Sequence, residues 1–201
     1  MTTHSIRAGG LCKRFGELEV LRGVSLELPM AGVTALTGPS GCGKTTLLMI
    51  LAGLLEPDAG CMQAVPDLRR AMVFQEDRLL EGAAARYNVE LVLRGTRAAR
   101  TETALRALHR VGLEEAAARR AGELSGGMKR RVALARALAA LDGYNSGLLL
   151  LDEPFSGLDD DTRAHILETL RETARDAALL IVTHDHRDAE ELGAGQVIQL
   201  G

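Results

Sequence analysis

Residues 38–45 read GPSGCGKT and constrain the fold more than any other stretch of the chain. The string fits the pattern of a glycine, four residues, a glycine, a lysine and then a serine or threonine. Residues 33–37 before it predict a short buried strand, and residues 45–55 after it predict an apolar helix. In this context backbone N–H groups and the helix N-terminus bind phosphate. The stretch therefore predicts a nucleotide site.

Individual side chains of this loop have distinct expected roles. Gly41 and Gly43 let a phosphate approach the backbone closely. Lys44 is expected to reach the β- and γ-phosphates, and the Thr45 hydroxyl is expected to hold Mg²⁺. Cys42 fits the loop either as a small side chain or as a thiol that is sensitive to oxidation. A chance glycine-rich turn would need neither the lysine nor the threonine.

Composition argues against several other classes of protein. The net charge is -3 and the chain has no basic block, so we expect no nucleic acid partner. The 3 cysteines lack close metal-ligand spacing, which favours a reducing compartment over a disulfide scaffold. The longest apolar run, residues 47–55, is well short of the ~20 residues that a membrane helix needs. We expect one domain outside the bilayer.

The N-terminal part of the chain predicts an antiparallel hairpin. Residues 5–12 and 20–28 each have the composition of a strand, and Pro29 closes the second one. Phe15 lies in the intervening turn, where burial does not explain an aromatic ring. It either packs at the edge of the hairpin or stacks on a base.

The middle of the chain predicts an inserted helical subdomain. Residues 56–70 predict an irregular stretch, and a strand over residues 71–74 then ends at Gln75. No strand-like alternation follows in residues 76–122. Helices are predicted there over residues 83–93, 101–111 and 113–120.

A second phosphate-binding element is predicted at residues 124–127, which read LSGG. Ser125 is a natural N-cap for a helix over residues 128–141. Gly126 and Gly127 behind that cap let an anion approach the helix N-terminus. The four-residue string is a weak signal when it is taken alone.

An acidic pair follows the most apolar strand of the chain. Residues 148–151 are all leucine, as in a parallel strand that is buried on both faces, and they lead to Asp152 and Glu153. Two adjacent acids in this place are costly unless a metal or hydrogen bonds compensate them. Residues 156–159 then predict a turn, and residues 160–174 predict an amphipathic helix.

A histidine ends the next buried strand. Residues 179–183 predict this strand, His184 follows it, and residues 196–200 predict a last strand. At the C-terminal edge of a buried strand we expect a functional role for His184 rather than a structural one. The whole pattern predicts an α/β fold: a P-loop NTPase core with a mainly parallel sheet, an N-terminal antiparallel β hairpin region and the inserted α-helical subdomain.

Taken together, the motifs resemble those of the nucleotide-binding subunit of ABC transporters over nearly the whole chain. The corresponding family motifs are Walker A at residues 38–45, the Q-loop at Gln75, the signature LSGGM at residues 124–128, Walker B at residues 148–154, the D-loop at residues 156–159 and the H-loop at residues 183–185. The resemblance implies a single ABC ATPase domain over residues 1–201. Residues 1–75 and 123–201 would form its core, and residues 76–122 its helical subdomain.

The resemblance also implies an ATP site that is shared by two subunits in head-to-tail contact. The implied ATP-binding residues are Phe15, Val20, Gly38, Pro39, Ser40, Gly41, Cys42, Gly43, Lys44, Thr45 and Thr46. The signature residues Ser125, Gly126 and Gly127 would contact the ATP of the opposite subunit. Asp159 would bridge the subunits, and Phe15 would stack on adenine.

Catalytic roles follow from the same resemblance. Glu153 would polarise the attacking water, His184 would contact the γ-phosphate, and Lys44 would offset developing charge. Mg²⁺ would be held by Thr45, Gln75 and Asp152, and Gln75 would also act in catalysis by sensing the metal and the attacking water.

The implied function is that of a cytoplasmic ATPase subunit on the inner face of the cell membrane. Its implied partners are a second ATPase subunit, an integral membrane permease and, in an importer, a solute-binding protein. Residues 78–80, which read RLL, most resemble importers of the nitrate, sulfonate and taurine type.

Soluble ABC cassettes and P-loop kinases of small molecules are the two rival functions. Soluble cassettes of translation carry two cassettes in one chain, and those of DNA repair insert a long coiled coil between Walker A and the signature. This chain has one cassette, and the interval from Lys44 to Ser125 is short. A P-loop kinase of small molecules would not need the signature.

The chain departs from the family pattern in two places. The interval between Lys44 and Gln75 is short, which puts a hairpin there in doubt. A long interval after residue 138 predicts a surface loop over residues 142–147.

Overall fold

The computed structural model describes residues 5–65, 67–144 and 146–201, and its strands form two sheets. The strands are β1 (Ser5–Phe15), β2 (Leu18–Pro29), β3 (Gly32–Thr37), β4 (Ala59–Gln63), β5 (Arg69–Val73), β6 (Gly147–Asp152), β7 (Ala178–Val182) and β8 (Gln196–Gln199). Three of them form an antiparallel sheet in the order β2-β1-β4. The other five form a parallel sheet in the order β5-β6-β7-β3-β8.

The predicted N-terminal hairpin is present, but the prediction of an irregular stretch over residues 56–70 was wrong. β4 pairs antiparallel with β1, with Cys61 opposite Gly9. The Asp58 carboxylate accepts hydrogen bonds from the backbone N–H of Arg14 and from Lys13 Nζ, both at 2.7 Å, and so aligns the chain that enters β4. β4 is largely exposed and has no apolar alternation, so its pairing depends on the free edge of β1.

Six α-helices are described, of which the longest are α3, α4 and α5. They are α1 (Lys44–Leu51), α2 (Ala85–Glu90), α3 (Arg97–Arg110), α4 (Gly126–Leu141), α5 (Asp160–Ala174) and α6 (His186–Glu191). Within the described ranges none is long and apolar enough to cross a membrane. α6 was not predicted. The predicted loop over residues 142–147 includes Asn145, which lies outside the described residues.

The helix predicted over residues 113–120 was also wrong, because that backbone bonds across to another segment. Only a short 3-10 turn, Glu114–Ala116, forms there. The carbonyls of Ala117 and Arg119 accept hydrogen bonds from the N–H groups of Arg86 and Ala85 at 2.9 and 2.8 Å. These carbonyls are thereby committed to the start of α2 and not to helical bonds of their own.

The parallel sheet is covered on both faces. Along β6, Leu149 and Leu151 pack into one apolar cluster together with residues of α3, α4 and α5. Leu148 and Leu150 pack into the other cluster, with α1 and the inner side of the antiparallel sheet. Since successive side chains of a strand point to opposite faces, a strand that is covered on both sides must be apolar at every position.

The functional motifs follow the carboxyl ends of neighbouring parallel strands. Near these ends Leu36 of β3 and Asp152 of β6 each lie opposite Val182 of β7, and Val73 of β5 lies opposite Leu151. The loops after these strands therefore meet at one edge of the sheet, where ligands of open parallel sheets bind.

Candidate nucleotide site

The phosphate loop requires glycine at position 43. Gly43 has φ of 100°, a left-handed conformation that side chains rarely adopt. A Cβ there would lie 2.8 Å from Leu21 Cδ2 and 2.9 Å from Val20 Cγ1. α1 begins at the next residue, and its N-cap offers no side chain to its first N–H groups. These groups are available to an anion.

The Lys44 side chain is buried and folds over the loop. Its Nζ donates hydrogen bonds to the carbonyl oxygens of Gly38 and Pro39, both at 2.8 Å. Cys42 Sγ lies 3.9 Å from the same nitrogen. A phosphate oxygen could replace these neutral carbonyls as the acceptor of Lys44. Because it is charged, it would make a stronger hydrogen bond.

Two oxygen ligands for a cation meet beneath the loop. Thr45 Oγ1 donates a hydrogen bond of 2.7 Å to Asp152 Oδ2. Burial raises the pKa of Asp152, while the Thr45 hydrogen bond opposes that rise. A hydroxyl and a buried carboxylate are oxygen donors of the kind that Mg²⁺ takes. The described residues contain no cluster of three or more His, Cys, Asp or Glu side chains that could hold a metal by themselves. This donor set fits Mg²⁺, which is usually bound by few protein ligands together with phosphate oxygens.

Glu153 adopts a strained backbone conformation beside His184. Its φ is 51°, which is uncommon for a residue other than glycine, and its N–H donates to the Val182 carbonyl at 3.0 Å. Glu153 Oε1 lies 2.8 Å from His184 Nε2. Such strain is typical of functional sites, where the surrounding structure holds it in place.

One cavity of about 430 Å³ collects residues from separated parts of the chain. It is lined by Phe15, Val20, Ser40, Gly41, Gly43, Lys44, Thr45, Thr46, Gln75, Asp152, Glu153, Val182 and His184. All but Val182 were predicted as site residues; sequence analysis placed Val182 only in a buried strand. The other predicted loop residues, Gly38, Pro39 and Cys42, contact Lys44 without lining the cavity.

Phe15 stands at the rim of this cavity. Its side chain is 49% exposed, so packing at the edge of the hairpin does not bury the ring. The ammonium of Lys13 lies 5.8 Å from the ring centroid. An exposed aromatic ring beside a phosphate loop is suited to stacking on a base.

The remaining predicted residues line a separate cavity of about 460 Å³. Ser125, Gly126, Gly127 and Asp159 lie there. Ser125 caps α4 by accepting a hydrogen bond from the N–H of Met128 at 3.3 Å. Asp159 caps α5 by accepting from the N–H of Thr162, and this bond holds the pKa of Asp159 below its usual value. Within one chain the signature and the phosphate loop thus line different cavities.

Sequence analysis missed two arginines of α4 that fix the backbone around Gln75. Arg130 donates to the carbonyls of Phe74 and Gln75, both at 2.5 Å. Arg136 donates to the carbonyls of Asp77 and Arg78, both at 2.9 Å. The sequence did contain a signal for such a role: the helical period of α4 places an arginine among apolar positions that are expected to be buried.

The parallel sheet, the phosphate loop, the acidic pair and the histidine at one sheet edge define a P-loop nucleotide-binding protein. A family model described as "ABC transporter" matches residues 21–156. The chain belongs to this family, as the sequence analysis predicted.

Curated relatives from several bacteria are named as import ATP-binding proteins. The taurine import ATP-binding protein TauB of Chromobacterium violaceum is 44% identical over 84% of this chain and 67% of its own length. The aliphatic sulfonates import ATP-binding protein SsuB 2 of Pseudomonas aeruginosa is 43% identical over 90% of this chain and 66% of its own. The sulfate/thiosulfate import ATP-binding protein CysA of Vibrio vulnificus is 38% identical over 98% and 63%. The chain thus spans about two thirds of the length of these relatives.

Solved structures confirm the predicted fold class. The ATP-binding cassette MJ0796, as a dimer in a post-hydrolysis state bound to ADP and Pi, superposes with a TM-score of 0.85 at 29% identity. The match covers 97% of this chain and 94% of that one. A second dimeric structure of MJ0796, a bacterial ABC transporter cassette, gives a TM-score of 0.83 at 30% identity.

Proposed function

We propose that the chain binds and hydrolyses ATP and so energises the movement of a solute through a separate transmembrane subunit. The observation that carries this proposal is the single cavity that unites the phosphate loop with Gln75, Asp152, Glu153 and His184. These residues lie at the carboxyl ends of four neighbouring parallel strands or in the loops that follow them. Hydrolysis of a terminal phosphate is a reaction that would use all of these residues.

Hydrolysis at this site is a matter of positioning and charge. Lys44 and the N–H groups at the start of α1 bind the phosphates, and Phe15 stacks on adenine. Glu153 orients and polarises the attacking water, and His184, 2.8 Å from its carboxylate, contacts the γ-phosphate. Thr45, Asp152 and Gln75 would hold Mg²⁺, which neutralises charge on the phosphate oxygens when it is bound.

The second cavity supports a dimer in head-to-tail contact. Ser125, Gly126 and Gly127 form an anion-binding helix N-terminus that has no phosphate loop facing it in its own cavity. A second ATPase subunit would supply the nucleotide, and Asp159 would lie at the contact. Both MJ0796 structures are dimeric, which favours this arrangement.

Import is the favoured direction of transport. The similar curated proteins are named as import subunits for taurine, aliphatic sulfonates and sulfate or thiosulfate. These names agree with the importer type that residues 78–80 indicate. An integral membrane permease and a solute-binding protein are the proposed partners, with the chain on the cytoplasmic face of the membrane. A soluble cassette of translation or DNA repair has no comparable support among these relatives.

Residues 76–122 are the proposed docking surface for the permease. Leu80, Tyr87 and Leu91 are large apolar side chains, each about half exposed. Asn88 ties the loop to α2, because its side chain accepts from the N–H of Leu80 and donates to the Leu80 carbonyl. Exposed apolar groups on adjoining segments are typical of surfaces that bind a partner.

Phosphate release by the purified chain tests the enzymatic part of the proposal. Lys44→Ala is expected to abolish hydrolysis and to weaken ATP binding strongly, because the terminal phosphates lose their nearest cation. Arg7→Ala is the control, since it removes only an exposed ion pair with Glu27 on the antiparallel sheet. A Lys44→Ala rate within a factor of about two of wild type would mean that the site is misplaced.

A further inference from the structure

A buried carboxylate bonds the residue that precedes His184. Asp188, on α6, is 7% exposed, and both of its oxygens are bonded. Oδ2 accepts a hydrogen bond of 2.5 Å from Thr183 Oγ1. Oδ1 accepts one of 2.6 Å from Arg163 Nη2. Neither α6 nor this network was predicted from the sequence.

The Thr183 hydroxyl also bonds the backbone of Asp185, the residue that follows His184. Besides donating to Asp188, it accepts a hydrogen bond of 3.1 Å from the backbone N–H of Asp185. The His184 ring itself is 53% exposed, so packing does little to fix it. The position of the ring beside Glu153 therefore depends on how firmly residues 183–185 are held.

Arg163 connects this network to the start of α5. It lies one turn after the N-cap, and its N–H donates to the Asp159 carbonyl at 2.8 Å. Its guanidinium also bonds Glu191 at 2.5 Å and lies 5.3 Å from the centroid of the Phe155 ring. The guanidinium thus touches α6 and the segment that follows Glu153.

We infer that Thr183, Asp188 and Arg163 are positioning residues that hold His184 against Glu153 and connect the histidine to the Asp159 turn. A structural role alone would need only that the buried carboxylate be paired. Here the paired carboxylate also bonds the Thr183 hydroxyl, which accepts a hydrogen bond from the backbone N–H that follows His184. The inference rests on the proposed ATPase function.

Two substitutions test it in single-turnover hydrolysis and ATP-binding measurements. Thr183→Val keeps the shape of the side chain and removes the hydroxyl, and Asp188→Ala removes the carboxylate. Each is expected to lower the hydrolysis rate by about tenfold or more, since small misplacements of catalytic groups are costly, with the dissociation constant for ATP unchanged. Thr183→Ser keeps the hydroxyl, so its hydrolysis rate should fall less than that of Thr183→Val.

Glu190→Ala is the matched control on the same helix, because it truncates an exposed side chain and leaves both residues 183–185 and the buried network intact. Its hydrolysis rate is expected to match wild type. If Asp188→Ala does not fold, Thr183→Val still decides the matter. A Thr183→Val rate equal to that of wild type would overturn the inference.

The decisive readout repeats Thr183→Val in a His184→Ala background. If the network acts through the histidine, adding Thr183→Val to His184→Ala should change the residual hydrolysis rate by less than about twofold. If Thr183→Val lowered the hydrolysis rate by the same factor in wild type and in His184→Ala, the network would have a purely structural role. Wild-type protein without ATPase activity would instead refute the proposed function, so the two failures are distinguishable.

Discussion

A buried carboxylate at position 152 costs the fold free energy before any cation is bound. Asp152 ends the fully buried strand β6 and is 3% exposed. Because burial raises its pKa in the folded state, the ionised form is less stable there than in the unfolded chain. This free-energy cost is absent at pH values below 3.8, the pKa of the carboxyl in the unfolded chain. It is complete at pH values above the raised pKa of the folded state.

Asp152→Asn should therefore stabilise the nucleotide-free protein at neutral pH. The amide oxygen can still accept from Thr45, and no charge is buried. We expect a gain of about 1 kcal/mol, or roughly 2–4 °C in a chain of this size, measured by thermal unfolding. The gain should vanish in acid, and the extra stabilisation by Mg-ATP should shrink. A variant that unfolds earlier than wild type at pH 7 would contradict this account.

Glu153→Gln should bind Mg-ATP but turn over very slowly, because an amide keeps the shape of the carboxylate and cannot polarise water. The variant should accumulate as an ATP-bound dimer. Size-exclusion chromatography with saturating ATP measures this, with ADP as the control. A monomer under these conditions would argue against head-to-tail association.

At the scale of single elements, α4 links two parts of the proposed mechanism. Its N-terminus presents Ser125 and Gly127, and its first two turns carry Arg130, which holds the carbonyl of Gln75. A Cβ on Gly127 would lie 2.9 Å from the Gly157 carbonyl, so the signature packs tightly on the D-loop turn. Movement at either end of this contact would be transmitted along a rigid helix.

Ser125→Arg should prevent the ATP-bound dimer in the Glu153→Gln background while it spares ATP binding to the monomer. The long cation would fill the cavity where the partner's nucleotide is proposed to enter. Ser125→Ala is the matched control: it loses the same N-cap, at about 1 kcal/mol, without adding bulk. Analytical ultracentrifugation with ATP gives the readout. Loss of ATP binding together with the dimer would point to misfolding.

At the scale of the whole molecule, the two cavities divide the proposed reaction between two chains. The phosphate loop, the acidic pair and His184 lie in one cavity, and the signature lies in the other. The exposed apolar residues 80, 87 and 91 lie on segments that follow Gln75. A partner that binds there would act on the loop that Arg130 and Arg136 hold.

Charge reversal at Arg78 and Glu81 probes that docking surface. Glu81 is exposed and pairs with Lys129 at 3.0 Å, and the Arg78 guanidinium stacks 3.8 Å from the Phe74 ring centroid. The double variant should lose co-purification with an integral membrane protein from native membranes, because its surface no longer complements the partner. Arg7→Glu, on the antiparallel sheet, should retain it. Recovery of wild type only with ribosomes or DNA would overturn the transport proposal.

The sequence alone determined the fold class and most of the residues that line the nucleotide cavity. Continuous apolar runs such as residues 148–151 predict strands that are covered on both faces. In residues 38–45 the close spacing of the glycines, the lysine and the threonine predicts both the loop conformation and phosphate binding. These signals are local: each depends on backbone geometry within a few residues. That is why nearly every predicted residue of the phosphate loop lies at the site.

Only the tertiary structure decided the pairing of β4, the bonds of residues 117–119 to α2 and the network behind His184. In each case at least one partner group lies far away in the sequence, as Arg163 does from Asp188, so no local pattern records the contact. Asp188 bonds both Thr183 and Arg163 because α6 packs against α5 and against the segment that follows β7, and the buried carboxylate must then be paired. Packing, and not propensity, thus selected the groups that bond the segment around His184.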